Sequence, residues 1–145
     1  MATITTLTDT ATPKRSLGED VHVVRKKFSF GDVVHAASDV IQLFKVADYS
    51  AVESLHVEMV TVEGSAATAE FGVSGEDITD DPDGLLSGYN LNTATPAMSS
   101  FSTTNAVMKN FGQAGGYVTM TPNAQLANCE VIVTIKVLNY NQLAD

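Results

Sequence analysis

Apolar and polar residues alternate along two neighbouring runs in the middle of the chain. Over residues 53–62, Leu55, Val57 and Met59 alternate with His56 and Glu58; over 67–73, Ala67, Ala69, Phe71 and Val73 alternate with Thr68, Glu70 and Gly72. Successive side chains of a strand point to opposite faces, so each run offers one face to a core and one to water. Glu63-Gly64-Ser65 stands between them, with Gly64 supplying the permissive backbone of a reversal. The two runs are therefore expected to pair as a hairpin.

The same period recurs on both sides. Upstream, VHVVRKKFSF (21–30) places Val21 and Val23 on one face and Val24, Phe28 and Phe30 on the other, with a basic middle, Arg25-Lys26-Lys27. Three bases in a strand suit a solvated edge that resists sheet-to-sheet aggregation, and they also suit an acidic partner. Residues 32–38 are expected to form a turn or helical stub leading into a strand over 40–46, and 47–52 a connector. Downstream, Tyr117–Thr121 is rich in β-formers and closed by Pro122-Asn123. Cys129–Leu138 is the most strand-like stretch, with Val131, Val133, Ile135 and Val137 on one face. Ile132 and Leu138 put apolar surface on its other face as well, which predicts cover from both sides.

Between these runs lie weaker signals. Residues 76–83 hold five acids (Glu76, Asp77, Asp80, Asp81, Asp83) and end in a Pro82-Asp83-Gly84 turn. Leu85-Leu86 and Tyr89–Leu91 read as a short strand or buried loop, and 92–116 as a long polar loop suited to subunit contacts. The pattern as a whole predicts an all-β chain, an antiparallel β-sandwich over 21–140. A Thr-rich extended N-terminal arm (1–20) precedes it and a tail (141–145) follows.

Length and charge narrow the function. With 145 residues the chain fits a single domain, one that buries about two thirds of its unfolded surface. Seventeen acids against eight bases, a net charge of −9, speak against docking along nucleic acid. Six of the eight bases fall within residues 1–45, leaving the body strongly acidic. No apolar run is long enough for a membrane span, and the start lacks the order of a signal peptide. The expectation is synthesis in a reducing cytoplasm. The single cysteine, Cys129, excludes an intramolecular disulfide and reads as a buried structural thiol.

Catalytic signatures do not assemble. His22, His35 and His56 lack metal-ligand spacing, and no nucleophile elbow, phosphate loop or dinucleotide fingerprint occurs. The acidic loop departs from the calcium-loop pattern, so no metal and no cofactor is expected. Glu58 and Glu70, opposed across the expected hairpin, would mimic a glycosidase pair. Exposed strand carboxylates are the commoner explanation, and the chain has no Trp to serve as a sugar platform.

In their order, DVIQLFKV (39–46), VEMVTVEGSAATAEFGV (57–73), DDPDGLLSGYNLN (80–92) and AGGYVTMTPNAQLANCEVIVTIKVL (114–138) resemble the small jelly-roll head decoration, or cement, proteins of tailed bacteriophages. The likeness covers about residues 38 to 138 and lies in pattern, with no active-site residues to carry over. It implies a jelly-roll sandwich, not an enzyme, that sits as a homotrimer on the outer surface of the virion. Its partner there would be the major capsid protein, whose capsomers it clamps against the pressure of packaged DNA. Lys14 and Arg15 of the arm, with Arg25, Lys26 and Lys27, are then the expected capsid contacts. The alternatives are a receptor- or glycan-binding virion module using the 92–116 loop, and, less favoured, a jelly-roll hydrolase.

Overall fold

The computed structural model describes residues 3–4, 21–98 and 109–139, with backbone alone at 3–4 and 98. Every element in it is a strand, and the two-residue alternation of the sequence is cleanest over 21–29 and 130–139. β1 is Thr3–Ile4, β2 Val21–Ser29, β3 Val40–Val46, β4 Ser50–Thr61 and β5 Thr68–Ser74. β6 is Asp81–Asn90, β7 Ala97–Met98, β8 Lys109–Asn110, β9 Gly116–Pro122 and β10 Glu130–Asn139.

These strands form two sheets, ordered β1-β3-β9-β5-β6 and β2-β10-β4-β7, with β8 also on β4. All pairings are antiparallel except β1 on β3. The chain changes sheet at almost every connection; among the described strands only β5 and β6 are both consecutive and paired. This is the double-sheet winding of an antiparallel jelly-roll sandwich. The all-β antiparallel sandwich expected from the pattern is what the chain forms.

The inner faces interlock. β10, the middle strand of its sheet, alternates without a break, with Val131, Val133, Ile135 and Val137 buried. They meet Phe28 of β2 and Leu55 and Val57 of β4 across the ladders, and Ile41, Phe44, Phe71, Val118 and Met120 from the opposite sheet complete one core. Phe28 stands edge-on to Phe44 at 5.3 Å, a favoured aromatic geometry that joins the sheets.

Two local expectations are corrected, and an open one is resolved. The 53–73 runs are both strands, but β4 and β5 lie in different sheets and do not pair. The six residues 62–67 arch across the sandwich, and each run turns its apolar face to the shared core from its own side. Alternation specifies a buried face but not a partner. Residues 32–38 take the turn and not the helical stub: bends at 32–33, a bridge of His35 to Leu126, and a turn at 37–38 closed by Asp39 N–H donating to Ala36 C=O at 3.3 Å. Pro82-Asp83-Gly84 belongs to β6, an edge strand where a missing N–H is tolerated, rather than to a turn.

Of the expected arm, Thr3–Ile4 pairs with Val40–Ile41; Lys14, Arg15, residues 99–108 of the long loop, and the 141–145 tail lie outside the described residues.

Candidate functional site

Of the expected contact residues, Arg25, Lys26 and Lys27 lie on β2, the edge of its sheet. Alternation sends Arg25 and Lys27 to the outer face, beside Thr134 and Ile132 of β10. There Arg25 Nη2 meets Glu58 Oε2 at 2.6 Å and Lys27 Nζ meets Glu130 Oε2 at 2.7 Å. Lys136 adds a third pair, to Glu53 at 3.5 Å. The outer face of β2-β10-β4 is thus a lattice of cross-strand ion pairs. Lys26 instead lies on the inner side of the strand, with its Nζ 5.7 Å from the Phe28 ring centre.

Glu58 and Glu70 are on different sheets. Glu58 pairs with Arg25, and Glu70 accepts a hydrogen bond from Gly88 N–H. The fold does not bring the supposed carboxylate pair together. Carboxylates of the acidic loop are likewise used internally: Asp77 accepts from Ala114 N–H, Asp80 from Gly75 N–H, and Asp81 binds Lys109 Nζ at 2.7 Å. Among the described residues no group of three or more His, Cys, Asp or Glu is placed to hold a metal, and no helix is long and apolar enough to cross a membrane.

One constellation had no sequence signal beyond a lone acid among small residues. Glu63, 2% exposed, turns its carboxylate inward at the arch. Its Oε2 accepts hydrogen bonds from the backbone N–H groups of Ala127, Asn128 and Cys129, each at 3.1 Å. Burial pushes its pKa up, but these donors, with the Cys129 thiol, prevail and hold the carboxyl below its usual value. Burial first, then the neighbouring Glu63 charge, push the Cys129 thiol up to about 12. The thiol is buried and structural, not a nucleophile.

Around Glu63 the loops of one end are laced together. Glu63 N–H donates to Leu91 C=O, Leu91 N–H to Ala67 C=O, Leu126 N–H to His35 C=O, and Thr68 N–H to Asn123 Oδ1. This end therefore comprises residues 31–38, 61–66, 92–96 and 123–128. Three surface hollows of about 300 to 360 Å³ bring together at most one acid and one base, Glu76 and Lys45.

No family model and no curated protein matches the sequence. Solved structures do match in fold. A chain of the capsid of Ralstonia phage GP4 aligns with 90% of this chain and 91% of its own length, with a TM-score of 0.66 and 14% identity. A chain of the cyanophage Pam1 capsid asymmetric unit aligns over 91% and 94%, with a TM-score of 0.64 and 14% identity. A chain from the acidic stable capsid of Helicobacter pylori bacteriophage KHP30 aligns over 84% and 90%, with a TM-score of 0.55 and 13% identity. At such identities the likeness is one of architecture, and it extends over nearly the whole sandwich.

Proposed function

We propose that this chain is a phage virion structural protein that decorates the head, a cement protein bound as a homotrimer to the outer surface of the major capsid protein shell. The observation that carries the reading is that chains of three phage capsids share its sandwich over 84 to 91% of its length. Its described surface offers a laced loop end and an ion-paired sheet face, which suit contact over area better than turnover of a small molecule.

In this reading the protein is made in the host cytoplasm and joins the shell after the head expands, tying neighbouring capsomers together. Arg25, Lys26 and Lys27, with Lys14 and Arg15 of the arm, supply the basic contacts. The exposed pairs of Arg25 and Lys27 are worth little internally, so both bases can exchange their partners for shell carboxylates at small cost. Many weak contacts repeated across a lattice then add up to firm attachment.

The test is addition of purified protein to expanded heads that lack it. Saturable binding and a higher rupture temperature are expected; no binding at micromolar concentration removes the reading. Deleting residues 1–20 in the same assay is expected to weaken binding, and unchanged binding takes the arm out of the mechanism.

A further inference from the structure

The two ends of the sandwich differ in charge. At the end laced around Glu63, the exposed loop residues of 31–38, 61–66, 92–96 and 123–128 include one charged side chain, Asp32. The rest are Ala, Gly, Ser, Thr, Asn, Gln, Pro and Val. Glu63 itself is buried with its hydrogen bonds satisfied. At the opposite end, residues 47–49 and 75–80 expose Asp48, Glu76, Asp77 and Asp80.

Exposed apolar side chains follow the same division. Of the six large ones among the described residues, four, Val33 (51%), Val34 (65%), Val60 (48%) and Val62 (39%), lie at or beside the neutral end. Alternation after Val57 and Met59 already sends Val60 outward, and a bulge in β4, where Met59 opposes Val131 and Thr61 opposes Glu130, leaves it without an opposite residue on β10. An exposed, unpaired valine beside loops that carry a single charge is unfavourable for an isolated globule and sensible for a contact.

From this we infer that the neutral end, centred on Val34, Val62 and Ser65, is the surface that seats on the capsid shell, with the acidic end facing away. The inference rests on the decoration reading and says which way up the molecule stands. Drying a surface costs most where charges lose water without gaining partners. Seating the acidic end would dry four carboxylates, and centring the contact on the outer face of β2-β10-β4 would dry all of its ion pairs together, whereas a base at the rim exchanges its partner while still in water. The neutral end exposes one carboxylate, and depletion of charge with small and apolar residues at the centre is the composition of a protein contact. Its loops are already fixed to one another by hydrogen bonds, so little ordering entropy is lost on docking. The occupant is a shell subunit that offers a neutral, apolar patch at the centre of the contact and carboxylates at its rim, where the β2 bases reach them. Lys27, whose strand ends at this end of the molecule, falls at the rim of the contact, where a polar ring is normal.

The test labels each end after folding. Ser65→Cys at the neutral end and Glu76→Cys at the acidic end are each coupled to a polyethylene glycol maleimide; the buried Cys129 stays unlabelled, as the parent protein verifies. Binding to expanded heads lacking the protein is then measured. The label at position 65 is expected to weaken binding at least tenfold, and the label at position 76 to leave it within twofold. The reverse order, or equal effects, overturns the orientation while leaving decoration standing. Unlabelled protein that ignores the heads overturns both. A label at position 65 that breaks the oligomer but spares head binding also overturns the orientation, by giving that end to a second copy of the chain.

Discussion

Glu63 Oε2 lies 3.1 Å from the backbone nitrogen of Cys129, 66 positions further along the chain. With Ala127 and Asn128 donating to the same oxygen, this contact fastens the arch between the sheets to the entry of β10. Glu63→Ala leaves three donors around an empty site, and a buried unpaired donor costs more than a hydrogen bond is worth. The expected loss is about 3 kcal/mol, read as a lower urea midpoint with unchanged slope. Glu63→Gln keeps one acceptor oxygen and is expected to lose roughly half as much.

Acid should act in two stages. His35 is buried, and burial lowers its pKa below 6.5 despite the nearby Asp39 charge. A base with a depressed folded pKa contributes stability fully present above its unfolded value and lost as pH falls through the folded one. The first loss therefore begins below about 6.5. Glu63, whose folded pKa is also depressed, contributes stability present above about 4.5 and lost as pH falls through its folded value. Melting temperature should be flat from pH 8 to 7 and then decline in two phases. His35→Leu should remove the upper phase and Glu63→Gln the lower.

Gly72 tests the packing of the β5-β6 edge. A Cβ there would stand 1.9 Å from the carbonyl oxygen of Asp81 and 2.4 Å from the carbonyl carbon of Pro82. Both neighbours are backbone, so the strand must move. Gly72→Ala is expected to cost at least ~3 kcal/mol, or to prevent folding at 37 °C. At Gly31 an added Cβ meets only Ala127 O, at 3.6 Å. Gly31→Ala should change the thermal midpoint little, which makes it the control.

How far the sequence reveals this molecule depends on which physical signal each feature leaves. Alternation along β2, β4, β5 and β10 records burial directly, so class and core were readable. The partner of a strand is not recorded: Leu55, Val57, Ala69 and Phe71 alternate identically whether β4 and β5 pair or face each other across a core. The arch is decided by Glu63, whose donors come from 64 to 66 residues away. No local pattern contains that information. Likewise the four exposed acids at one end and the lone Asp32 at the other are scattered through the sequence. They segregate only after the strands have set which loops share an end.

Cys129 should be inert while the protein is folded. Its thiol is fully buried and pushed up to about 12, so the thiolate that reacts with disulfide reagents is scarce at pH 8. Modification by a disulfide reagent is expected to follow the opening rate, negligible in buffer and complete within the dead time in denaturant. Fast labelling of the native protein would show that the β10 entry opens on its own. In Glu63→Ala, which removes both the negative neighbour and the clasp, labelling should accelerate.

The Arg25–Glu58 pair separates holding the fold from holding a partner. At 2.6 Å the contact is short, yet the two side chains remain 55% and 39% exposed, where solvent and salt screen most of the attraction. A double-mutant cycle with Arg25→Ala and Glu58→Ala is expected to give a coupling of about 0.2–1 kcal/mol, shrinking at high salt. Arg25→Ala combined with Lys27→Ala should then barely shift the melting temperature. If these β2 bases contact the shell, the same double substitution weakens binding to expanded heads several-fold, and the loss fades as ionic strength rises. A large loss of stability would instead make the outer ion-pair lattice a structural device, with the exposed position of β2 incidental to any partner.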